Sequence, residues 1–291
     1  MTRRPTILLT GADGQLGVEM ARLLRAHGDV VAARRATLDL ADPDAIVAAV
    51  RGAKPALIVN AAAYTAVDLA EKESALAHAV NARAPGILAE EARRSGAVLI
   101  HFSTDYVFDG TRTTAYPEDA AANPLNVYGA SKLAGERAIA GAGAYALTFR
   151  TSWVYGLSGK NFLLTIRRLA AERDEISIVA DQIGVPNWSR TLAEATARIV
   201  AAGVASLPER TGLYHLSSTG QASWYELALA IVGAAERPRV IPIPTSGYPT
   251  PARRPAYGVL ATRKFEETFG FALPHWRDAL QRCLSEPAAG A

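Results

Sequence analysis

The sequence predicts an α/β protein in which a doubly wound parallel sheet carries a smaller C-terminal domain. Three observations support this. Short, continuous apolar runs alternate with helix-period segments through the first half, as expected for strands covered on both faces. A glycine-rich turn joins the first apolar run to the first helical segment. At 291 residues the chain holds roughly two domains' worth of sequence, and such a chain buries about three quarters of its unfolded surface without a disulfide or metal staple.

Ile7-Leu8-Leu9 is the first strand. The helix after it places Leu16, Met20, Leu23 and Leu24 at helical spacing, and His27-Gly28 reads as its end, with glycine suited to the left-handed conformation there. Val30 to Ala33 is the second strand, and Asp42-Pro43 opens the second helix, where proline is acceptable in the first turn. Leu57-Ile58-Val59 and Val98-Leu99-Ile100 are further buried strands, separated by helical residues 69–95 with a break near Pro85. Ala144 to Phe149 supplies another strand. In the second half, a helix over about 161–173 precedes the strand Ile176 to Val179, and helices are expected near 190–203 and 224–236. Pro238 to Pro255 shows little periodicity and reads as a binding loop, because structureless connections of that length are uncommon. The tail from Glu286 reads as frayed. The expected domains are 1–157 with about 185–215, and about 158–184 with 216–291.

Composition excludes several classes. Apolar residues at 49% and charged residues at 20% describe an ordinary globular chain. No apolar run is long enough to span a membrane, and the N-terminus lacks a secretory signal, so a cytoplasmic protein is expected. The net charge of +3 comes from scattered basic pairs, which argues against a nucleic-acid partner. Cys283 is the only cysteine, so neither an internal disulfide nor a thiolate metal cluster can form. The five histidines lack the i, i+4 pairing of a helical zinc site; His101 reads as packed on the sheet, and Trp188, Trp224 and Trp276 as packing residues. A serine-hydrolase elbow is missing, as is the lysine of a Walker A loop.

The glycine turn, Gly11-Ala12-Asp13-Gly14-Gln15-Leu16-Gly17, opens a helix directly after a strand. A pyrophosphate demands a tight turn, close backbone approach and free N–H groups at a helix start, and glycine permits each because it has no Cβ. The reading is a Rossmann-like dinucleotide site. An acidic residue roughly 20 positions on would hold the adenosine ribose, but the second strand ends in Arg34-Arg35. Arg34 can neutralise a 2′-phosphate, which favours NADPH and leaves NADH as an alternative. Asp39 and Leu40 are placed on the adenine side, and the small residues Ala61, Ala62 and Ala63 leave room for the cofactor across the sheet edge.

The fourth strand finishes in Ser103-Thr104-Asp105-Tyr106, and Tyr128-Gly129-Ala130-Ser131-Lys132 heads the helix that follows. Tyrosine and lysine at this spacing share a helical face. An ammonium beside a phenol lowers the phenol's pKa, so Tyr128 is expected to exchange a proton near neutrality. Ser103 or Thr104 is placed to polarise the same carbonyl.

These residues resemble the extended short-chain dehydrogenase/reductase superfamily. More narrowly, the chain is similar to the dTDP-4-dehydrorhamnose reductase family through Ser103-Thr104-Asp105-Tyr106-Val107-Phe108, Pro124 to Gly129, Lys132 to Glu136 and Arg150 to Tyr155. Asn60 to Ala63, Thr65 to Asp68, Asp181-Gln182, Tyr248 to Pro251 and Arg254-Pro255 extend the similarity over nearly the whole chain. The resemblance implies a reductase acting on the 4-keto group of a dTDP-sugar, the smaller domain being substrate-binding. It implies catalytic roles for Tyr128, Lys132 and Thr104. Cofactor contacts are implied for Gly14, Gln15, Leu16, Asp39, Leu40, Ala63, Tyr64 and Thr65. Sugar-nucleotide contacts are implied for Thr104, Asp105, Tyr106, Tyr128 and Trp153, with Asn161 and Arg254 at the diphosphate.

Two departures stand out. Tyr64 replaces a histidine that many relatives carry. Some relatives bridge a homodimer through a metal held by glutamates; Glu19 matches one ligand, but Arg190 occupies another, so no metal is expected and the dimer is left open. The alternatives are another nucleotide-sugar epimerase or reductase on this scaffold, and a non-catalytic dinucleotide-binding regulatory subunit.

Overall fold

The computed structural model describes residues 4–234 and 238–286. β1 (Thr6–Thr10) leads into α1 (Gln15–Leu24), β2 (Asp29–Ala33), α2 (Pro43–Ala53) and β3 (Leu57–Asn60). Next come α3 (Val67–Ala70), α4 (Ser74–His78), α5 (Ala84–Ser95), β4 (Val98–Thr104), α6 (Val127–Ala142) and β5 (Tyr145–Thr151). β6 (Val154–Tyr155), α7 (Phe162–Glu172), β7 (Glu175–Val179), β8 (Ile183–Gly184) and β9 (Asn187–Trp188) precede α8 (Ser189–Ala201). The remaining strands and α-helices among the described residues are β10 (Gly212–His215), β11 (Ala222–Ser223), α9 (Trp224–Val232), β12 (Arg239–Ile243), α10 (Arg263–Phe269) and α11 (Trp276–Ser285).

Six strands form the main sheet in the order β10-β5-β4-β3-β1-β2, every neighbouring pair parallel. Successive residues of β1 serve opposite faces. Ile7 and Leu9 pack with Met20 and Leu192 from α1 and α8, whereas Leu8 packs with Ile46 and Leu88 from α2 and α5. This double burial is why β1, β3 and β4 read as unbroken apolar runs. Met20 and Leu24 are fully buried, each burial contributing roughly 1.5–3 kcal/mol. A third cluster under the small two-stranded sheets gathers Tyr155, Trp188, Leu227, Trp276 and Leu280. The chain leaves β1 toward β2 on one side and returns to β3 on the other, which opens a crevice at the strands' C-terminal ends.

Several expectations need correcting. α1 ends at Leu24, and Gly28 is not among the left-handed glycines. A Cβ at Gly28 would collide with the Pro5 carbonyl and the Ile7 side chain, so its lack of a side chain lets β1 pass close by. Residues 69–95 are not one broken helix. After α3 and α4 a π-helical turn spans Ala79–Arg83, and Pro85 sits in the first turn of α5. Proline has no N–H for a carbonyl one turn back, and the wider turn accommodates that loss. The proline-rich stretch begins with a strand, since β12 pairs in parallel with β7 and aligns Pro242 with Ile178. In a sheet of only these strands both are edges, where proline is tolerated. The last residues of the helix expected over 224–236, and 287–291 of the tail, lie outside the described residues.

Candidate active site

Gly11 has φ +69°, and a Cβ there would meet the Ala62 backbone at 2.7 Å. A Cβ at Gly17 would overlap the Gly11 carbonyl. Gly14 is the N-cap of α1 and offers no side-chain cap, so the first-turn N–H groups remain available to an anion. A cavity of about 380 Å³ opens over this turn. Gly11, Gly14, Gln15 and Leu16 form one wall, and Asp39 and Leu40 a second. Ala61, Ala62, Ala63, Tyr64 and Thr65 form a third, with Tyr128 and Lys132 also lining the space. The residues fit a dinucleotide: glycines give backbone access at the turn, and small alanines keep the sheet edge open.

Two expected cofactor residues stand elsewhere. Arg35 lines the cavity, whereas Arg34 does not; the Arg34 N–H donates to Thr37 Oγ1 at 3.0 Å in the turn after β2. Gly17 is absent from the wall because it packs α1 against the glycine turn. Thr151 had not been singled out. It lines the cavity, and its buried hydroxyl has no hydrogen-bond partner among the described residues.

Thr104 ends β4, accepts a hydrogen bond from the Tyr106 N–H at 3.1 Å and donates to Asp105 Oδ1 at 3.2 Å. Tyr128 lies in the first turn of α6, whose N-cap Asn126 accepts from the Gly129 N–H at 2.8 Å. The helix start fits beneath Tyr106 only because residue 129 is glycine, as a Cβ would overlap the Tyr106 carbonyl. The rings of Tyr106 and Tyr128 meet edge-to-face at 5.8 Å. Burial pushes the Tyr128 phenol up to about 12, hydrogen bonding with Thr104 opposes this, and the Asp105 charge adds to it. Burial pushes the Lys132 ammonium down to about 8, opposed by the Glu136 charge. Burial also raises Asp105 to about 7.

The expectation that Lys132 lowers the Tyr128 pKa is therefore corrected. The ammonium is directed at the Phe102 carbonyl, 2.6 Å away, and desolvation dominates the phenol.

Trp153 has φ +42°, strain of order 1–3 kcal/mol for a non-glycine residue. Its indole stacks on Trp224 at 3.5 Å and 7°. A Cβ at Gly184 would collide with that indole. Trp224, read as a packing residue, is thus the platform that holds Trp153. Asn161 caps α7, accepting from the Leu164 N–H at 3.0 Å, and its amide donates to Gln15 Oε1 at 2.9 Å. It thereby ties α7 to the glycine turn. Arg254 grips Asp68 through bonds of 2.6 and 2.7 Å, and hydrogen bonding from Arg254 holds the Asp68 carboxyl below the usual carboxylate range. The Tyr64 hydroxyl donates to Glu73 at 2.8 Å. Arg190 pairs with Glu19 at 3.1 Å and with Glu286 at 2.7 Å.

A parallel sheet, a glycine-turn cavity at its C-terminal edge and a buried tyrosine–lysine pair within it together define an enzyme of the extended short-chain dehydrogenase/reductase class. A family model described as the RmlD substrate binding domain matches residues 5–288, and the chain belongs to that family. It is 49% identical to a dTDP-4-dehydrorhamnose reductase of Burkholderia thailandensis over 96% of this chain and 98% of the relative. The corresponding figures for a protein of the same name from Escherichia coli K12 are 42%, 96% and 97%. The crystal structure of a dTDP-4-dehydrorhamnose reductase from Bacillus anthracis in complex with NADP superposes with a TM-score of 0.90 at 35% identity, covering 98% of this chain and all of that one. Among the described residues, no helix is long and apolar enough to cross a membrane.

Proposed function

We propose that this chain reduces the 4-keto group of dTDP-4-dehydro-L-rhamnose to give dTDP-L-rhamnose, with NADPH as the preferred reductant. The observation that carries this is Tyr128 and Lys132 lining the cavity headed by Gly11 and Gly14, in a chain 49% identical to a reductase of that name. When bound, the nicotinamide supplies the hydride that becomes the new C4 hydrogen. Tyr128 gives its phenolic proton to the carbonyl oxygen as negative charge develops there. A phenol pushed up to about 12 stays protonated at neutral pH, the form a proton donor requires. Thr104 donates a hydrogen bond to the same oxygen, and Lys132 holds the nicotinamide ribose. Asp105 and Tyr106 flank the sugar, Trp153 forms a wall of its site, and Arg254 exchanges Asp68 for the diphosphate, with Asn161 nearby. Arg35 takes the role first given to Arg34 at the 2′-phosphate.

The cofactor half comprises 1–157 and about 185–215; the sugar-nucleotide half comprises about 158–184 and 216–291. The separate apolar cluster under the small sheets supports that division. The same reading carries a cytoplasmic location and a homodimer as the assembly to seek by sedimentation.

The test is the reverse reaction with dTDP-L-rhamnose and NADP⁺, followed by nicotinamide absorbance. Tyr128→Phe should lose about 10²–10⁴-fold in kcat, the usual weight of a positioned acid, while binding NADPH as the native protein does by calorimetry. Undiminished turnover in the variant would remove Tyr128 as the proton donor. No turnover in the native protein, despite cofactor binding, would point to a different sugar substrate.

A further inference from the structure

Thr10, Asn60 and His101 lie on β1, β3 and β4 as register partners, Thr10 opposite Asn60 and Asn60 opposite His101. Partnered residues on adjacent parallel strands face the same side, so these side chains form a row across the sheet. All are buried, His101 completely. Thr10 Oγ1 lies 2.7 Å from one end of the Asn60 amide, and the other end lies 3.0 Å from His101 Nδ1. His101 Nε2 lies 3.3 Å from Lys132 Nζ, where α6 crosses the row.

An ammonium only donates hydrogen bonds, so His101 Nε2 must be the acceptor. A neutral imidazole then carries its proton on Nδ1, and the Asn60 amide oxygen receives it. The Asn60 NH₂ donates in turn to the Thr10 hydroxyl. Amide oxygen and nitrogen exchange places by a simple turn of the group, so the observed positions accommodate this chain of bonds. It gives each contact along the row one donor and one acceptor.

We propose that His101 is a positioning residue for Lys132: a neutral imidazole, kept as its Nδ1–H tautomer by Asn60, accepts one ammonium hydrogen and aims the ammonium. The Phe102 carbonyl takes a second hydrogen at 2.6 Å, which leaves the third directed to the cavity that Lys132 lines. Burial first, and then the Lys132 charge, hold His101 well below the usual histidine range and keep it neutral. The other ionisable groups around Lys132 are Tyr128 and Glu136 on its own helix, Glu136 being bound by Arg150 from β5 at 2.7 Å. The proposal rests on the reading that Lys132 serves the cofactor.

Native protein carrying ¹⁵N-labelled histidine gives the first readout, independent of any turnover. The His101 signals, identified by their loss in His101→Gln, should show Nδ1 protonated and Nε2 bare, with no titration across neutrality. A protonated Nε2 would overturn the proposal outright. The second readout compares variants that each preserve one arm of the ring. His101→Gln places a carbonyl oxygen near the former Nε2, whereas His101→Asn reaches only Asn60. His101→Asn should lose about tenfold or more in kcat, the rate equivalent of one hydrogen bond to a charged group. Its high-pH limb should move to lower pH with KM for the sugar nucleotide little changed, and His101→Gln should recover most of the rate. Equal losses in both variants with an unmoved pH limb would mean that His101 only fills space. A native protein that turns over no sugar would defeat the functional reading while leaving the tautomer result intact.

Discussion

Asp105 is 2% exposed, and burial raises its carboxyl from the ordinary 3.8 to about 7. Below about pH 4 the folded and unfolded chains are both protonated there. Between about 4 and 7 only the folded chain holds the proton, so stability falls as pH rises through that window and the penalty is complete above it. Asp105→Asn removes an ionisation, not a shape. Relative to the native protein it should gain stability between pH 4 and pH 8, by up to roughly 4 kcal/mol. Urea unfolding at both pH values measures this, and a difference independent of pH would contradict it. Residues were legible where their signal is local. The spacing of Tyr128 and Lys132 is a single helical turn, and the glycine turn is contiguous. Arg35 lines the cavity and Arg34 does not, because direction at a strand end depends on a register that sequence does not display. His101 was read as packing because Asn60 and Lys132, its partners, lie 41 and 31 positions away.

The junction of β1 and α1 shows what an element requires. α1 starts where it does because Gly17 lets its first turn rest against the Gly11 carbonyl. Gly17→Ala must move backbone, since no flexible side chain is in the way. The expected cost is about 1–3 kcal/mol, as for other overpacked contacts, together with weaker NADPH binding as the α1 N-terminus tilts away. Thermal unfolding and calorimetry test the two effects, and unchanged cofactor affinity would show that the turn absorbs the methyl group. Strands β1, β3, β4 and β5 were readable because double burial makes them continuous apolar runs, whereas β2, at the sheet's margin with Val31 exposed, showed only its apolar composition. β12 was hidden by Pro242, which argues for a loop unless the strand is known to be an edge. α11 carried a readable signal in Trp276, Ala279, Leu280 and Cys283, its buried stripe at helical spacing. The π-helical turn before Pro85 has no sequence pattern distinct from a helix and was invisible.

Across the whole molecule, the proline-rich segment is fastened to the first half of the chain. Asp68 accepts hydrogen bonds from Arg254 and from the Ala252 N–H, and the Asn126 amide donates to the Arg253 carbonyl at 2.7 Å. These partners are up to 186 positions apart, beyond the reach of any periodicity. Asp68 is partly exposed, so the pair adds little to global stability; its effect is local. Asp68→Asn should speed proteolytic cleavage within residues 242–255 several-fold with little change in Tm, and dTDP-L-rhamnose should slow cleavage of the native chain. Equal cleavage rates throughout would sink the reading of this segment as a binding loop. The sheet has a temporal side as well. β10 borders β5 at the outer margin of the main sheet, yet it is encoded well after the strand it covers. A chain emerging from the ribosome N-terminus first displays β5 with one margin of unpaired N–H and C=O groups. A synthesis arrested after α8 would release a chain that lacks β10 and leaves that border open to pairing with its own copies. The short strand Gly212–His215 is the seal on that border.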